Sequence, residues 1–96
     1  MKPLPLTPEL LAVARRVVWF KEPAQALAEP ILFLSHVMNY GTPQDLAALQ
    51  GLVGKDEFRE VLDHAPPGVF DRRSWAYWHL ICERVPAPPL PARHFA

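Results

Sequence analysis

Apolar positions along this chain recur at three- and four-residue steps in several short runs, and most of these runs open on a proline. In TPELLAVARRVVWF, residues 7–20, the positions Leu10, Val13 or Ala14, Val17 and Phe20 fall on one helical face. Thr7 is placed to cap the helix, Pro8 suits its first position, and Glu9 suits the positive end of its dipole. Arg15 and Arg16 then point to water. KEPAQALAEP predicts a short helix that starts at Pro23 and closes before Pro30, because proline disfavours helix at the residue preceding it.

PILFLSHVMNYG starts a third helix at Pro30, with Ile31, Leu34 and Val37/Met38 as its inner stripe and Gly41 as its stop. In TPQDLAALQG, Thr42 caps, Pro43 starts, and Asp45 sits where a capping box needs its acid. Gly51 and Gly54 bracket a turn. KDEFREVLDH follows, with Phe58, Val61 and Leu62 inward.

The densest aromatic stretch is PPGVFDRRSWAYWHL, residues 66–80. Asp71 is an N-cap, Arg72 and Arg73 open a helix, and Phe70 before the cap is set to pack on Trp75 as a hydrophobic staple. Trp75, Trp78 and Cys82 share one face and predict a core anchor. Each buried tryptophan removes about 150–250 Å² from water. Tyr77, Ile81 and Arg84 lie on another face, and the helix is expected to run to about Arg84. Beyond it, Pro86, Pro88, Pro89 and Pro91 predict an extended polyproline segment.

No run alternates with period two. The pattern therefore predicts an all-α protein: a compact bundle of five or six short helices over residues 1–85, and an extended proline-rich C-terminal tail over 86–96. Half of the 96 residues are hydrophobic, which suits one small core. Ten basic and ten acidic residues cancel, and that balance speaks against a general nucleic-acid binder. The charge is unevenly placed, with basic ends flanking an acidic middle. The apolar run LLAVARRVVWF is broken by Arg15 and Arg16, so no membrane span or signal peptide is expected, and a cytoplasmic location is.

Candidate chemistry is sparse. His79, Cys82 and Glu83 have helical spacing, but a zinc site wants three or four ligands, and His36, His64 and His94 have no paired spacing. Cys82, the one cysteine, lies among apolar neighbours in HLICERV and reads as structural. Gly51, Gly54 and Lys55 lack the spacing of a phosphate loop. No catalytic residue, metal site or cofactor is expected.

DLAALQGLVGKDEFREVL has the cadence of a helix-turn-helix. Its second helix would carry Asp56, Glu57, Glu60 and Asp63 against Lys55 and Arg59, which phosphate would repel. A small helix-turn-helix regulator is therefore the alternative reading, and tight nucleic-acid binding by the isolated chain is not expected.

Three segments, ILFLSHVMNYGTPQDLAALQ, EFREVLDHAPPGVFDRRSWAYWHL and PPLPARHF, resemble a small bacterial family of short helical proteins. The shared motifs are His36–Thr42, Ala65–Gly68, Ser74–Trp78 and Pro89–Pro91, and the resemblance spans residues 17–95. Members look like the short upstream partner of nucleotidyltransferases of the abortive-infection toxin type. That resemblance implies an antitoxin-like role and a protein partner, such a nucleotidyltransferase, and it brings no catalytic residues. A homodimer stays open. The expected function is a non-catalytic protein-interaction module. Its expected contact residues are Arg72, Arg73, Tyr77, Arg84, Pro89, Leu90 and Arg93, with the tail as a detachable arm.

Overall fold

The computed structural model describes residues 1–91. Six helices follow one another: α1 (Pro8–Val17), α2 (Pro23–Leu27), α3 (Pro30–Tyr40), α4 (Pro43–Ala48), α5 (Lys55–Asp63) and α6 (Arg72–Ile81). No strand forms among the described residues. The fold is all-α, and its starts follow from local chemistry. The first four helices each place a proline in the first turn, where no N–H bond is lost. Thr7, Thr42 and Asp71 cap α1, α4 and α6 through their side-chain oxygens. The Thr42–Asp45 capping box is present in both directions.

Helix α3 is the centre, packed against α1, α2, α5 and α6. Residues Phe33 through Met38 are all buried, so this helix has no single inner stripe; it is enclosed on nearly all sides. That explains why Phe33, outside the expected stripe of Ile31, Leu34 and Val37/Met38, is fully buried while Ile31 is only half-buried. The polar members of this run find acceptors inside their own helix. Ser35 Oγ donates to the Ile31 carbonyl (2.7 Å), and His36 Nδ1 bonds the Leu32 carbonyl (2.9 Å). Gly41 ends α3 with φ −73°, so its use is space and not a left-handed backbone. A Cβ there would lie 2.5 Å from the Val37 carbonyl oxygen.

The α6 anchor forms as its residues suggest. Phe70 and Trp75 pack edge-on with ring centroids 5.4 Å apart, and Trp75, Trp78 and Cys82 are buried together. Trp78 also closes α3: its indole N–H donates to the Met38 carbonyl at 2.7 Å, one of the carbonyls a helix end leaves without a partner. Asp71 N–H donates to Asn39 Oδ1 at 2.9 Å, so α6 is tied to the end of α3 at two points, its N-cap and Trp78.

Three expectations need correcting. Helix α1 stops at Val17, and Phe20, placed on its inner stripe, is exposed. Helix α6 stops at Ile81, short of Arg84, because a Schellman motif closes it. There the Glu83 N–H donates to the Leu80 carbonyl (3.1 Å) and the Arg84 N–H to the His79 carbonyl (2.7 Å), with Glu83 at φ 60°. Arg59 Nε takes the Cys82 carbonyl at 2.9 Å. Third, the described part of the tail is not a detached arm. Pro88 accepts the Trp75 indole N–H at 2.8 Å, and Leu90 packs against the core. The physical reason is pairing: an indole N–H at the edge of the core needs an acceptor, and a proline-rich segment has carbonyls that no helix uses.

Candidate interaction surfaces

Helix α6 presents two opposite faces. At about 100° per residue, Trp75, Trp78, His79 and the adjoining Cys82 cluster on one side, and Arg73, Tyr77 and Leu80 on the other, with Ile81 beside them. The first set is buried, and the second is exposed, with Tyr77 and Leu80 more than half open to solvent. Tyr77 still touches the domain, packing edge-on against Trp78 with centroids 5.5 Å apart. It is therefore held in place on one side and free on the other.

The expected contact residues distribute unevenly over this surface. Arg72, Arg73 and Tyr77 are exposed on α6. Arg84 lies past the helix end and is ion-paired with Asp63, so part of its charge is already used. Pro89 is exposed, but Leu90 is half-buried against the core. Arg93 lies outside the described residues. Leu80 and Ile81, which composition alone did not single out as contacts, complete the outer stripe; their i+3 and i+4 spacing from Tyr77 is the signal that could have found them.

A second exposed surface went unnoticed in the sequence. Trp19 is 80% exposed, Tyr40 62% and Phe20 51%. Their rings form a row with His36: Trp19 to Phe20 at 5.7 Å, Phe20 to His36 at 5.5 Å, and His36 to Tyr40 at 5.9 Å. At one side of the row, Arg16 forms a two-pronged ion pair with Asp45. The Asp45 side chain is almost wholly buried and also accepts the Thr42 N–H at 2.9 Å. The Arg16 hydrogen bonds hold the Asp45 carboxyl below its ordinary pKa, outweighing the burial that would push it up.

The groups tested for chemistry are occupied structurally. Burial pushes the Cys82 thiol above its usual pKa, against the pull of Arg59, Arg84 and Lys55, which disfavours a nucleophilic thiolate. His79 is buried. It packs edge-on against Trp75 with centroids 4.3 Å apart and bonds the Trp75 carbonyl through Nδ1 at 2.7 Å. Among the described residues, no group of three or more His, Cys, Asp or Glu side chains could hold a metal ion. Nor is any described helix long and apolar enough to cross a membrane.

The helix-turn-helix candidate is looser than its cadence suggests. Residues 49–54 separate α4 from α5, and α4 packs on α1 while α5 packs on α3. The bases of α5 are partly engaged: Arg59 with Asp56, Glu83 and the Cys82 carbonyl, and Lys55 with Glu83. Comparison with known proteins finds no match, whether to a family model, a curated protein or a solved structure.

Proposed function

We propose that this chain is a non-catalytic protein-interaction module that holds its partner through the outer face of α6, as the antitoxin-like partner of a nucleotidyltransferase. The observation that carries the interaction reading is the second stripe of α6. A ten-residue helix needs only one apolar face to join its own core, and Trp75 and Trp78 already supply it. Tyr77, Leu80 and Ile81 on the far side contribute nothing comparable to that core, yet they place a tyrosine and two aliphatic side chains beside Arg73. Tyrosine and arginine are the residue types that carry binding energy at interfaces. The nucleotidyltransferase partner rests on the resemblance of the His36–Thr42, Ala65–Gly68, Ser74–Trp78 and Pro89–Pro91 motifs.

The test is co-expression of the full chain with a nucleotidyltransferase encoded beside it. The chain should co-purify with that enzyme in fixed stoichiometry. The Tyr77→Asp/Leu80→Asp double variant should lose capture while keeping its helical circular dichroism, because both side chains are exposed. Undiminished capture by the folded double variant would remove α6 as the contact. A wild-type chain that does not bind the enzyme at all would remove the antitoxin assignment.

A further inference from the structure

The outer face of α6 carries unmatched charge at one end only. Arg72 and Arg73 open the helix, are exposed, and enter no ion pair among the described residues. Asp71 beside them has its carboxylate on the Ser74 N–H at 2.7 Å and offsets one of the two charges at most. At the other end the charges are matched: Arg84 pairs with Asp63, and Glu83 with Lys55 and Arg59. Between the ends lie Tyr77, Leu80 and Ile81, all exposed. Asp71, Arg73, Ser74 and Tyr77 line an open hollow of about 380 Å³ where the basic end meets this apolar stretch.

The geometry restricts what can cover this face. From Arg73 to Ile81 the stripe is about 12 Å long, roughly two turns of helix. The backbone groups of α6 are engaged in its own helix, and its end is closed by the Schellman motif. A covering chain therefore finds no backbone partner on this face. It has to satisfy its own N–H and C=O groups, which a helix does and an extended strand does not. Arg73, Tyr77 and Leu80 fall at i, i+4 and i+7, a ridge of the kind that packs between the side-chain rows of a second helix.

Charge separates the remaining occupants. A nucleic-acid strand needs a basic track along its length and rings to stack on. The exposed cations of α6 stop at Arg73, Tyr77 is its one exposed aromatic ring, and Leu80 and Ile81 follow. A second copy of this chain, α6 against α6, brings no unpaired carboxylate to the arginines, since Glu83 and Asp63 are already paired. A partner helix with carboxylates at one end and an apolar stripe along the rest matches both parts of the face.

We propose that the outer face of α6 docks an amphipathic helix of the partner protein, with the acidic end of that helix against Arg72 and Arg73 and its apolar stripe on Tyr77, Leu80 and Ile81. This rests on the reading of α6 as the partner contact, and it adds the chemistry of the element that α6 holds.

The experiment uses the full chain labelled with ¹⁵N and follows its backbone amides and the Trp19 indole N–H. Acetylated, amidated peptides of about 15 residues, long enough to form helix, carry leucines at i, i+3, i+4 and i+7 in an alanine and glutamine background. They differ only in the first turn, which holds glutamates, glutamines or lysines. The glutamate peptide should shift the amides of Arg73, Tyr77, Leu80 and Ile81 saturably and leave the Trp19 indole in place. It should bind at least about tenfold more tightly than the lysine peptide, with the glutamine peptide between them, and salt should narrow the difference. Arg72→Gln/Arg73→Gln changes two exposed side chains, so the fold should persist while the three peptides become equal. Equal binding of the glutamate and lysine peptides to wild type, no saturable shift on α6, or an undiminished preference in the double variant would each overturn the proposal. Tighter binding of oligothymidylate, or concentration-dependent shifts of the same amides without peptide, would replace the acidic helix with a nucleic-acid strand or a second copy. The titration needs no nucleotidyltransferase, so failure of that enzyme to bind removes the antitoxin assignment alone, and failure of the peptides removes the acidic helix alone.

Discussion

Trp78 and Trp19 are the same residue type in opposite circumstances. Trp78 is buried between α6 and α3, its ring lies 4.9 Å from Phe58, and its N–H closes the end of α3. Trp19 follows the end of α1, and most of its surface faces solvent. Burying an indole is favourable only when its N–H finds an acceptor. Both inner tryptophans obey that condition with backbone carbonyls, Met38 for Trp78 and Pro88 for Trp75. Trp19 contributes little to the fold, so the reason for an indole there has to be sought outside the folded domain. Stability and surface chemistry are thus assigned to different aromatics, and substitutions should separate them.

The largest effect is expected at Trp78. Trp78→Ala leaves a cavity and strands the Met38 carbonyl, and should cost about 3–5 kcal/mol. In a domain this small, that is a large fraction of the total stability. A melting temperature within a degree or two of wild type would erase the contrast with Trp19.

Next comes the tail. Ending the chain at Val85 removes the acceptor of the Trp75 N–H and uncovers the core beneath Leu90. The expected loss is about 2 kcal/mol, from the hydrogen bond and the partial burial together. Urea unfolding of the truncated chain measures it directly. An unchanged midpoint would mean that the Pro88 and Leu90 contacts add nothing.

How much of this contrast was legible in the sequence depends on the range of the determining interaction. Helix starts were readable because each is set within about five residues: Thr7 with Pro8, Thr42 with Asp45, Phe70 and Asp71 with Trp75. Stops were harder. The apolar rhythm of α1 continues through Phe20 although the helix does not, and α6 is closed by Glu83 in a left-handed conformation that glycine usually occupies. The α6 stripe was partly visible as Arg73 and Tyr77. The aromatic row of Trp19, Phe20, His36 and Tyr40 was not visible at all. It depends on Arg16 meeting Asp45 across 29 positions, and on α3 bringing His36 and Tyr40 alongside the end of α1. Long-range pairing of this kind leaves no local periodicity.

Asp45 tests the scaffold behind the exposed side. Asp45→Asn keeps an acceptor for the Thr42 N–H but removes the charge opposite Arg16. Arg16 is half-exposed, so solvent screens the pair, and the expected loss near neutral pH is about 1 kcal/mol. Because the folded pKa lies below the ordinary Asp value of 3.8, the contribution is complete above that value and fades as pH falls through the folded one. The gap between wild type and variant should therefore be constant from about pH 7 to 5 and shrink below about pH 4. A gap that widens on acidification would contradict the pairing.

Trp19→Ala should have the smallest effect on stability, within about 0.5 kcal/mol, as for exposed positions that carry no structural contact. Some loss is expected from the edge-on packing with Phe20, a pair itself open to water. Chemical denaturation measures the change, and fluorescence adds a check in the same experiment. Because Trp19 faces solvent while Trp75 and Trp78 do not, Trp19→Ala should remove the red-shifted, readily quenched part of the native emission and leave the buried part. A stability loss comparable to that of Trp78→Ala would mean that Trp19 is a structural residue. A neutral change would mean that its aromatic surface is available for contact.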